Sequence, residues 1–410
     1  MEKQILEALR KQLRPLATAA DNGQFDDLAF LADVLRDVRI VGLGEGSHGT
    51  REHFQFKHRI IRFLVEKVGF RVFVIESALD ACDVVNEYIL YGRGDMYRAL
   101  AGLHFWTWDT EEVAALIEWM REHNQTCQAG EECFFLGFDI QSCDVACERL
   151  LKRLVPLAGS DTDRVRRCIE ACARVSRKTS PDELPDAACL LGWVTANQVA
   201  LTRDSSPQDY RLFVRYARHI FQCISHFSHG SSNDSRDRLM AENVSLLLNE
   251  LPSGSKLILW AHNGHIAARF EWKTIGHWLR EAYGSLYYAL GFALCRGQFQ
   301  SRLYDRETGT IGPLRTFDVP PIGDNLWEYD LSQLATGNFM IDLRTAIASN
   351  PGIARWAASE KDFLMLDEAW DPVHGQHYYE IPGVLSQTFD GILYTEETSR
   401  ARPNPTGLRQ

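Results

Sequence analysis

Six ionisable residues follow short apolar runs in this sequence, and their types and positions are suited to acid–base chemistry. The runs cover 39–44, 71–75, 133–138 and 256–261, and helical patterns bound each of them. Continuous apolar runs of this length are typical of buried parallel strands. In an open α/β sheet, ligands bind beyond the carboxyl ends of the strands. The residues expected to converge at that edge are Glu45, His48, Glu76, Asp139, His262 and His265.

His48 is the candidate general base of this group. Histidine titrates near neutral pH, and a neighbouring carboxylate can orient its ring and stabilise its proton. Glu45 and Glu76 are the candidate partners, and two carboxylates close together are expected to raise one pKa and so supply an acid. Either His262 or His265 is then expected to stabilise an oxyanion or to protonate a leaving group. This set predicts general-base activation of water with stabilisation of an oxyanion. That the bond is that of a carboxylic ester or lactone is what the family resemblance given below implies.

The stretch Gly44–Gly49 matches the sequence pattern G-x-G-x-x-G of a dinucleotide-binding loop. Such a loop holds a pyrophosphate with its backbone N–H groups, and a carboxylate at Glu45 would repel the phosphate. The acidic residue that binds ribose is expected about 20 residues further on, and Glu76 lies beyond that point. We therefore expect no cofactor here. The glycines are expected to let the backbone turn sharply and to present Glu45 and His48 to one cavity.

Two other hydrolytic mechanisms compete for the same residues. His262 and His265 with the two glutamates would suit a zinc site, although H-E-x-x-H is absent and the spacing is generic. We expect no metal, and zinc remains the alternative. Ser47 would be the nucleophile of a serine hydrolase. The nucleophile elbow is G-x-S-x-G, however, and Glu45 occupies the place of its first glycine.

The reaction class also has alternatives. A His/Glu base in a dry cleft equally suits elimination or cyclisation, and the family resemblance given below implies the biosynthesis of a natural product or an exopolysaccharide as its setting. A non-catalytic binding protein is a further alternative, but it gives no physical reason to keep costly buried ionisable groups. Three more residues are candidates for substrate binding. Trp106 and Trp108 would wall a pocket for a bulky, partly apolar ligand, and Arg236 would reach the site from a helix.

Composition excludes several classes of protein. The chain has 410 residues, a net charge of −11 and 45% apolar residues, which suits a folded protein with a large core. The acidic field and the lack of a basic block predict no nucleic-acid partner and a small-molecule substrate. No stretch approaches the roughly 20 apolar residues of a membrane span. The ten cysteines form no C-x-x-C motif, and the N-terminal residues lack the pattern of a signal peptide. Both observations favour a reducing, cytoplasmic location.

Alternating strands and helices predict an α/β fold, with a parallel-sheet core flanked by helices and a large all-helical insertion that forms one wall of a deep cleft. The predicted segments are 1–142, the first part of the α/β core with the catalytic loop; 143–250, the helical insertion or lid; and 251–410, the second part of the core. Predicted helices in the insertion are Cys147–Val175, Ala188–Thr202, Pro207–Phe227 and Arg236–Glu250.

Finer expectations concern the ends of individual elements. Later strands are expected at 285–293, 339–343, 363–366 and 391–394. A helix that begins after Thr50 is expected to stop at Gly69. Asp109 and Glu112 form a capping-box pattern before another helix. The tail after Ser399 is expected to fray.

The sequence resembles the erythromycin esterase family, which also contains proteins labelled as succinoglycan biosynthesis proteins. The resemblance extends over nearly the whole chain, in family order. It is carried by GLGEGSHGTREHFQFKHRIIRFLVEKVGF, FVIES, FWTWDTEEVAALIEWMREHN, FLGFDIQS, RDRLMAENV, WAHNGHIA and FDGILYTEE. It implies an α/β core with a helical insertion and a deep cleft between them.

The resemblance also implies roles for residues of this chain. Macrolide-hydrolysing members use the histidine of G-E-x-x-H to activate water against a lactone ester, without an acyl-enzyme serine, and this role falls on His48. Their supporting glutamates correspond to Glu45 and Glu76, and the A-H-N-x-H histidines to His262 and His265. These enzymes have arginine where this chain has Lys57, a candidate substrate-binding residue. Lysine keeps the charge but loses the bidentate fork, which weakens the expectation of a macrolide substrate more than that of the chemistry.

Overall fold

A computed structural model describes residues 2–103, 105–174, 183–252, 254–375 and 379–406. Within these ranges, ten strands form one sheet and two more form a separate pair. The strands are β1 (Arg14–Pro15), β2 (Ile40–Leu43), β3 (Val72–Ala78), β4 (Phe134–Asp139), β5 (Leu257–Trp260), β6 (Tyr287–Asp305), β7 (Thr310–Asp318), β8 (Phe339–Asp342), β9 (Glu360–Leu364), β10 (Ala369–Trp370), β11 (Glu380–Val384) and β12 (Gly391–Thr398).

The main path of the sheet runs β1-β8-β12-β6-β2-β5-β3-β4. Every pairing from β12 to β4 along this path is parallel, while β8 pairs antiparallel with both β1 and β12. The predicted parallel core is confirmed, and the four strands inferred from apolar runs are direct neighbours in the order β2-β5-β3-β4. Because these strands are parallel, the residues after their carboxyl ends meet at one edge of the sheet.

The central strands are apolar on both faces, which explains why their sequences read as continuous runs. Successive side chains of a strand point to opposite faces. Val41, Phe73 and Ile258 therefore enter one buried cluster, while Val74 and Leu259 enter the other. The two clusters lie between the sheet and its covering helices.

Helices cover both faces of the sheet and occupy the region between β4 and β5. They are α1 (Lys3–Arg10), α2 (Leu31–Val34), α3 (Arg51–Phe63), α4 (Leu79–Tyr91), α5 (Met96–Ala101), α6 (Glu111–Thr126), α7 (Asp144–Arg153), α8 (Thr162–Cys172), α9 (Leu184–Ala196), α10 (Gln198–Asp204), α11 (Pro207–Ser228), α12 (Asn233–Glu250), α13 (Asn263–Ile266), α14 (Ile275–Tyr283), α15 (Trp327–Ser332), α16 (Leu343–Ser349), α17 (Pro351–Ala357) and α18 (Leu385–Thr388). None of these described helices is long and apolar enough to cross a membrane.

The helices between β4 and β5 share an apolar cluster of their own, which includes several buried cysteines. Two long predicted helices in this region are interrupted. The helix expected at Ala188–Thr202 is divided into α9 and α10 at Asn197. The segment expected at Cys147–Val175 contains α7 and α8, and short 3₁₀ turns around Pro156 and Gly159 separate them. Proline lacks a backbone N–H, and Gly159 adopts a φ of +55°, so the helix is interrupted there. Val175 lies outside the described residues.

Three other predictions at element ends need correction. Thr110, and not Asp109, caps α6, because its side chain accepts a hydrogen bond from the Val113 backbone N–H. Strand β6 extends far beyond residue 293, because its second half forms a hairpin with β7. The tail after Ser399 packs against the protein as far as Asn404, and Ala401 is fully buried. Its last residues, 407–410, lie outside the described ranges. The predicted helix end at Gly69 is confirmed, because a π-helical turn, Leu64–Val68, continues α3 as far as Gly69, whose φ is +82°.

Candidate active site

The turn from β2 into α3 carries Glu45 and His48, and its glycines are required by close packing. A Cβ atom added at Gly44 would lie 2.1 Å from the Asn263 side-chain oxygen. One added at Gly49 would lie 1.9 Å from the carbonyl oxygen of Gln300. Real Cβ atoms do not approach other heavy atoms this closely, so the packing of neighbouring segments explains the glycines at these two positions of the G-x-G-x-x-G pattern.

Glu45 is completely buried and joins His48 to Lys57. Its Oε1 lies 2.7 Å from His48 Nδ1, and its Oε2 accepts hydrogen bonds from Lys57 Nζ at 2.5 Å and from Trp260 Nε1 at 2.9 Å. Burial would raise the pKa of Glu45, but the charges and hydrogen bonds of Lys57 and His48 outweigh it and lower the pKa to about 2. Glu45 is therefore a carboxylate at neutral pH.

Lys57 lies beneath Glu45, enclosed by aromatic rings. Its Nζ lies 4.3 Å from the centroid of Trp260 and 5.5 Å from that of Phe292, and its side chain has no exposed surface. Burial lowers the pKa of Lys57 to about 8, although Glu45 opposes this shift. In this position Lys57 holds Glu45 in place and is separated from the cavity described below.

Glu76, at the end of β3, belongs to a second network of buried charges. Its Oε1 accepts a hydrogen bond from Arg236 Nη2 at 2.9 Å, and its Oε2 accepts the backbone N–H of His262 at 3.1 Å. Arg236 also binds both oxygens of Asp139 at 3.0 Å. Burial would raise the pKa of Glu76, but His265 and Arg236 lower it well below its usual value. The expected acid is therefore absent from the Glu45–Glu76 pair, since both carboxylates face cations.

His265 is a cation held between two carboxylates. Its Nδ1 lies 2.7 Å from Oδ1 of the fully buried Asp237, and its Nε2 lies 3.2 Å from Glu76 Oε1. Burial would lower the pKa of His265, but Asp237 and Glu76 outweigh it and raise the pKa to about 10. With both ring nitrogens engaged, His265 supports Glu76.

His262 has the opposite protonation behaviour, although it is three residues away. Burial and the nearby His48 lower its pKa to about 4. Its Nδ1 accepts the backbone N–H of Gly264 at 3.2 Å, which assigns the ring proton to Nε2. No described residue bonds to that Nε2, and the ring centroid lies 4.7 Å from that of His48. His262 is thus a neutral donor next to the candidate base.

A cavity of about 350 Å³ opens beside His48. This volume lies at the lower end of the usual range for small-molecule sites, about 300–1,000 Å³. Core residues and residues of the helical region both line it, whereas the predicted site residues Asp139, Trp106 and His262 are not part of its lining. The lining consists of His48, Glu76, Phe105, Thr107, Trp108, Gln141, His226, Phe227, Ser231, Asn233, Arg236, His265, Asp367 and Glu368.

The structure adds two carboxylates that the sequence reasoning missed. Asp237 follows Arg236 directly, and the interpretation of that helix stopped at the arginine. Asp367 comes soon after the predicted strand 363–366, so the rule that selected Glu45 and Glu76 would also have selected it. Among the described residues, no group of three or more histidines, cysteines or acidic residues forms a candidate metal site.

Comparison with known proteins gives the family. Residues 65–398 match the family model of erythromycin esterase. The chain belongs to the erythromycin esterase family. Glu45, His48 and Lys57 precede the matched segment, whereas Glu76, Arg236 and both A-H-N-x-H histidines lie within it. Membership supports a hydrolase-like function.

Individual relatives agree with this assignment. The chain is 25% identical to erythromycin esterase type II of Escherichia coli over 414 aligned residues, which cover 92% of this chain and 93% of that protein. Among solved structures it is similar to a Bacillus cereus protein, with a TM-score of 0.84, 23% identity and 98% coverage of both chains. It is also similar to an erythromycin esterase mutant in its open conformation, with a TM-score of 0.70, 16% identity and coverage of 97% and 100%. At these identities, the structural likeness shows the fold alone.

Proposed function

We propose that this protein hydrolyses a carboxylic ester or lactone and that His48 activates the water. The observation that carries the proposal is the 2.7 Å contact between His48 Nδ1 and Glu45 Oε1 on the wall of the cavity. When the His48 Nδ1–H donates a hydrogen bond to the ionised Glu45, the lone pair of the neutral ring lies on Nε2. A histidine held in this way is an effective general base.

The proposed reaction has two proton transfers. His48 Nε2 takes a proton from water, the water oxygen attacks the carbonyl carbon, and Glu45 stabilises the imidazolium that forms. The carbonyl oxygen becomes an oxyanion, and the Nε2–H of neutral His262 donates to it. The carbon–oxygen bond to the alcohol then breaks, and His48 returns its proton to the leaving oxygen. No metal or cofactor enters this scheme.

The second network prepares this site without touching the reacting atoms. Glu76 binds the backbone of His262, and Arg236 and His265 fix Glu76. Because these charges compensate one another and Glu76 binds the His262 backbone, the network holds the His262 donor beside the His48 ring. Preorganised donors of this kind make a large contribution to the stabilisation of an oxyanion.

The substrate in this proposal is a small molecule with an apolar part. Phe105, Trp108 and Phe227 supply aromatic surface to the cavity, while Gln141 and Asn233 supply amide groups. The name of the Escherichia coli relative makes a macrolactone one candidate. The limited volume also favours smaller esters and lactones, so both belong in the substrate panel.

The substitution His48→Asn tests the proposal directly. We expect hydrolysis of the best substrate in a panel of lactones and esters to fall by roughly 10²–10⁴-fold, because the base is lost. His123→Asn is the matched control, since His123 lies at the end of α6 and contacts the Glu131 carbonyl. Undiminished turnover by the His48 variant would refute the proposal.

Product mass separates hydrolysis from the alternative reactions of the same base. Hydrolysis adds one water to the substrate, elimination removes a small molecule and cyclisation by isomerisation leaves the mass unchanged. In isotopically labelled water, the proposed route places the label in the carboxylic acid product. A product without label, or of unchanged mass, would favour the biosynthetic alternatives.

A further inference from the structure

Asp367 is a carboxylate at the mouth of the cavity that faces His48 from the side opposite Glu45. Its Oδ1 lies 3.7 Å from His48 Nε2, the nitrogen assigned the lone pair. The Asp367 side chain is 62% exposed, whereas Glu45 is completely buried. His48 is thus placed between a buried carboxylate on one nitrogen and a solvent-accessible one on the other.

The chain around Asp367 is fastened to the turn that carries His48. The Leu366 backbone N–H donates to the Gly46 carbonyl at 2.8 Å, and Leu366 forms a parallel bridge with Ser47. On the other side, the Ser301 hydroxyl donates to the Asp367 carbonyl at 3.1 Å. The position of Asp367 relative to His48 is therefore set by backbone pairing.

The separation of 3.7 Å is informative by itself. It exceeds the roughly 2.7–3.2 Å of a direct hydrogen bond. It also allows one water molecule to bond to both groups at once. Oδ1 of Asp367 accepts the Glu368 backbone N–H at 2.7 Å, which orients the carboxylate. The Asp367 carboxyl loses part of its hydration against the cavity wall, which would raise its pKa. The charge of the His48 imidazolium outweighs this effect and lowers the pKa, so the group is ionised at neutral pH.

We propose that Asp367 is a further catalytic residue, whose carboxylate accepts one hydrogen of the hydrolytic water while His48 takes the other as a proton. This inference rests on the proposed function. Two acceptors fix the orientation of the water and leave an oxygen lone pair for the carbonyl carbon. Asp367 stays ionised throughout, and after the transfer its charge faces the new imidazolium. The proton returns from His48 to the leaving alkoxide, as before.

Several titratable groups surround His48, and they come from different elements. Glu45 faces it from its own turn, Glu76 from the end of β3, His262 from the end of β5 and Asp367 from the loop before β10. Of these, Asp367 makes the charged contact with Nε2. Groups one step further away are Lys57 behind Glu45, His265 and Arg236 beside Glu76, and Glu368 next to Asp367.

The first test measures the His48 pKa by NMR of protein with labelled histidine, and it needs no substrate. Asp367→Asn should lower this pKa, because an anion that favours the imidazolium is removed. The matched control is Glu368→Gln, which removes the same charge from the neighbouring residue without the Nε2 contact. A larger shift in the Asp367 variant supports the proposal. Equal shifts in both variants, or no shift in either, would overturn it.

The second test is kinetic. Asp367→Asn should lower kcat on the order of 10–100-fold and leave KM within about twofold, because the water and not the substrate loses its partner. Asp367→Glu should restore part of the rate. Both variants should keep the unfolding temperature of the wild type, since the side chain is largely exposed.

The outcomes separate the two proposals. If His48→Asn is inactive while Asp367→Asn keeps the wild-type kcat, the role of Asp367 is refuted and the proposed function stands. If the wild type hydrolyses no member of the panel, the proposed function fails, and the NMR comparison still decides whether Asp367 acts on His48.

Discussion

Three histidines within one site have three different pKa values, because each has different partners. The pKa of His262 is lowered to about 4, since burial is opposed by no strong contact and His48 lies beside it. The pKa of His265 is raised to about 10, because two carboxylates outweigh its burial. Burial also opposes a charge on His48, yet Glu45 raises its pKa above the usual value. These pKa differences give each histidine its own role. His262 is the hydrogen-bond donor, His265 supports Glu76 and His48 is the base.

The pH dependence of hydrolysis should report His48. A general base acts when neutral, so kcat/KM should rise with pH, with an inflection above the ordinary histidine value of 6.5. Glu45→Gln should move the inflection to lower pH, because the carboxylate that stabilises the imidazolium is gone. The measurement is a pH–rate profile with a non-ionisable ester. An inflection that stays in place in the Glu45 variant would show that Glu45 does not act on the base.

At the scale of elements, the turn between β2 and α3 packs closely against α13 and β6. The Asn263 side chain, at the start of α13, bonds to both the N–H and the carbonyl of Phe292 in β6. The Gly49 carbonyl accepts the Gln300 N–H from the same strand at 3.0 Å. Glycine lets the turn pass within this distance of β6, and the approach brings His48 to the edge of the sheet.

Gly49→Ala should therefore destabilise the protein and disturb the site. The added Cβ meets the backbone of Gln300, which cannot rotate away as a side chain could. We expect a loss of roughly 1–3 kcal/mol in the free energy of unfolding, together with reduced turnover. Gly192→Ala is the control, since its Cβ meets nothing within 4 Å and Gly192 lies in α9. Denaturant unfolding of both variants measures the difference. Equal stabilities would contradict this account of the turn.

At the scale of the whole molecule, the segment 399–404 packs against the turn that carries His48 and against the start of α3. The Arg51 backbone N–H donates to the Ser399 carbonyl at 2.9 Å, and the Ala401 N–H donates to the Gly49 carbonyl at 2.8 Å. The Asn404 amide bonds to Asp109, next to the cap of α6. The last described residues thus hold the turn that carries His48 against the rest of the protein.

A chain that ends at Ser399 should be less stable and less active than the full protein. Removal of the tail exposes the buried surface around Ala401 and removes one of the two hydrogen bonds that the Gly49 carbonyl accepts. The control is a chain that ends at Thr406, which retains every contact described above. Thermal unfolding and turnover are compared for the three proteins. If the shorter chain matches the full protein in both measurements, the tail has no part in holding the turn.

Local sequence patterns predicted the features that depend on neighbouring residues in the chain. Apolar runs identified β2, β3, β4 and β5 because a strand buried on both faces has few polar positions. The rule that ligands bind at carboxyl ends then selected Glu45, His48 and Glu76 together. The same reasoning was wrong at Pro156, where a broken helix resembled a long amphipathic one, and at Asp109, where the adjacent Thr110 competes for the cap.

The sequence by itself determined the parallel core, the family resemblance and the identity of the candidate base. Only the tertiary structure decided which histidine is neutral and which is charged, because Asp237 reaches His265 from α12, a distant part of the chain. It also placed Lys57 beneath Glu45 and brought Asp367 to the open side of His48. Charge states depend on groups that meet across the fold, and spacing along the sequence does not encode those distances.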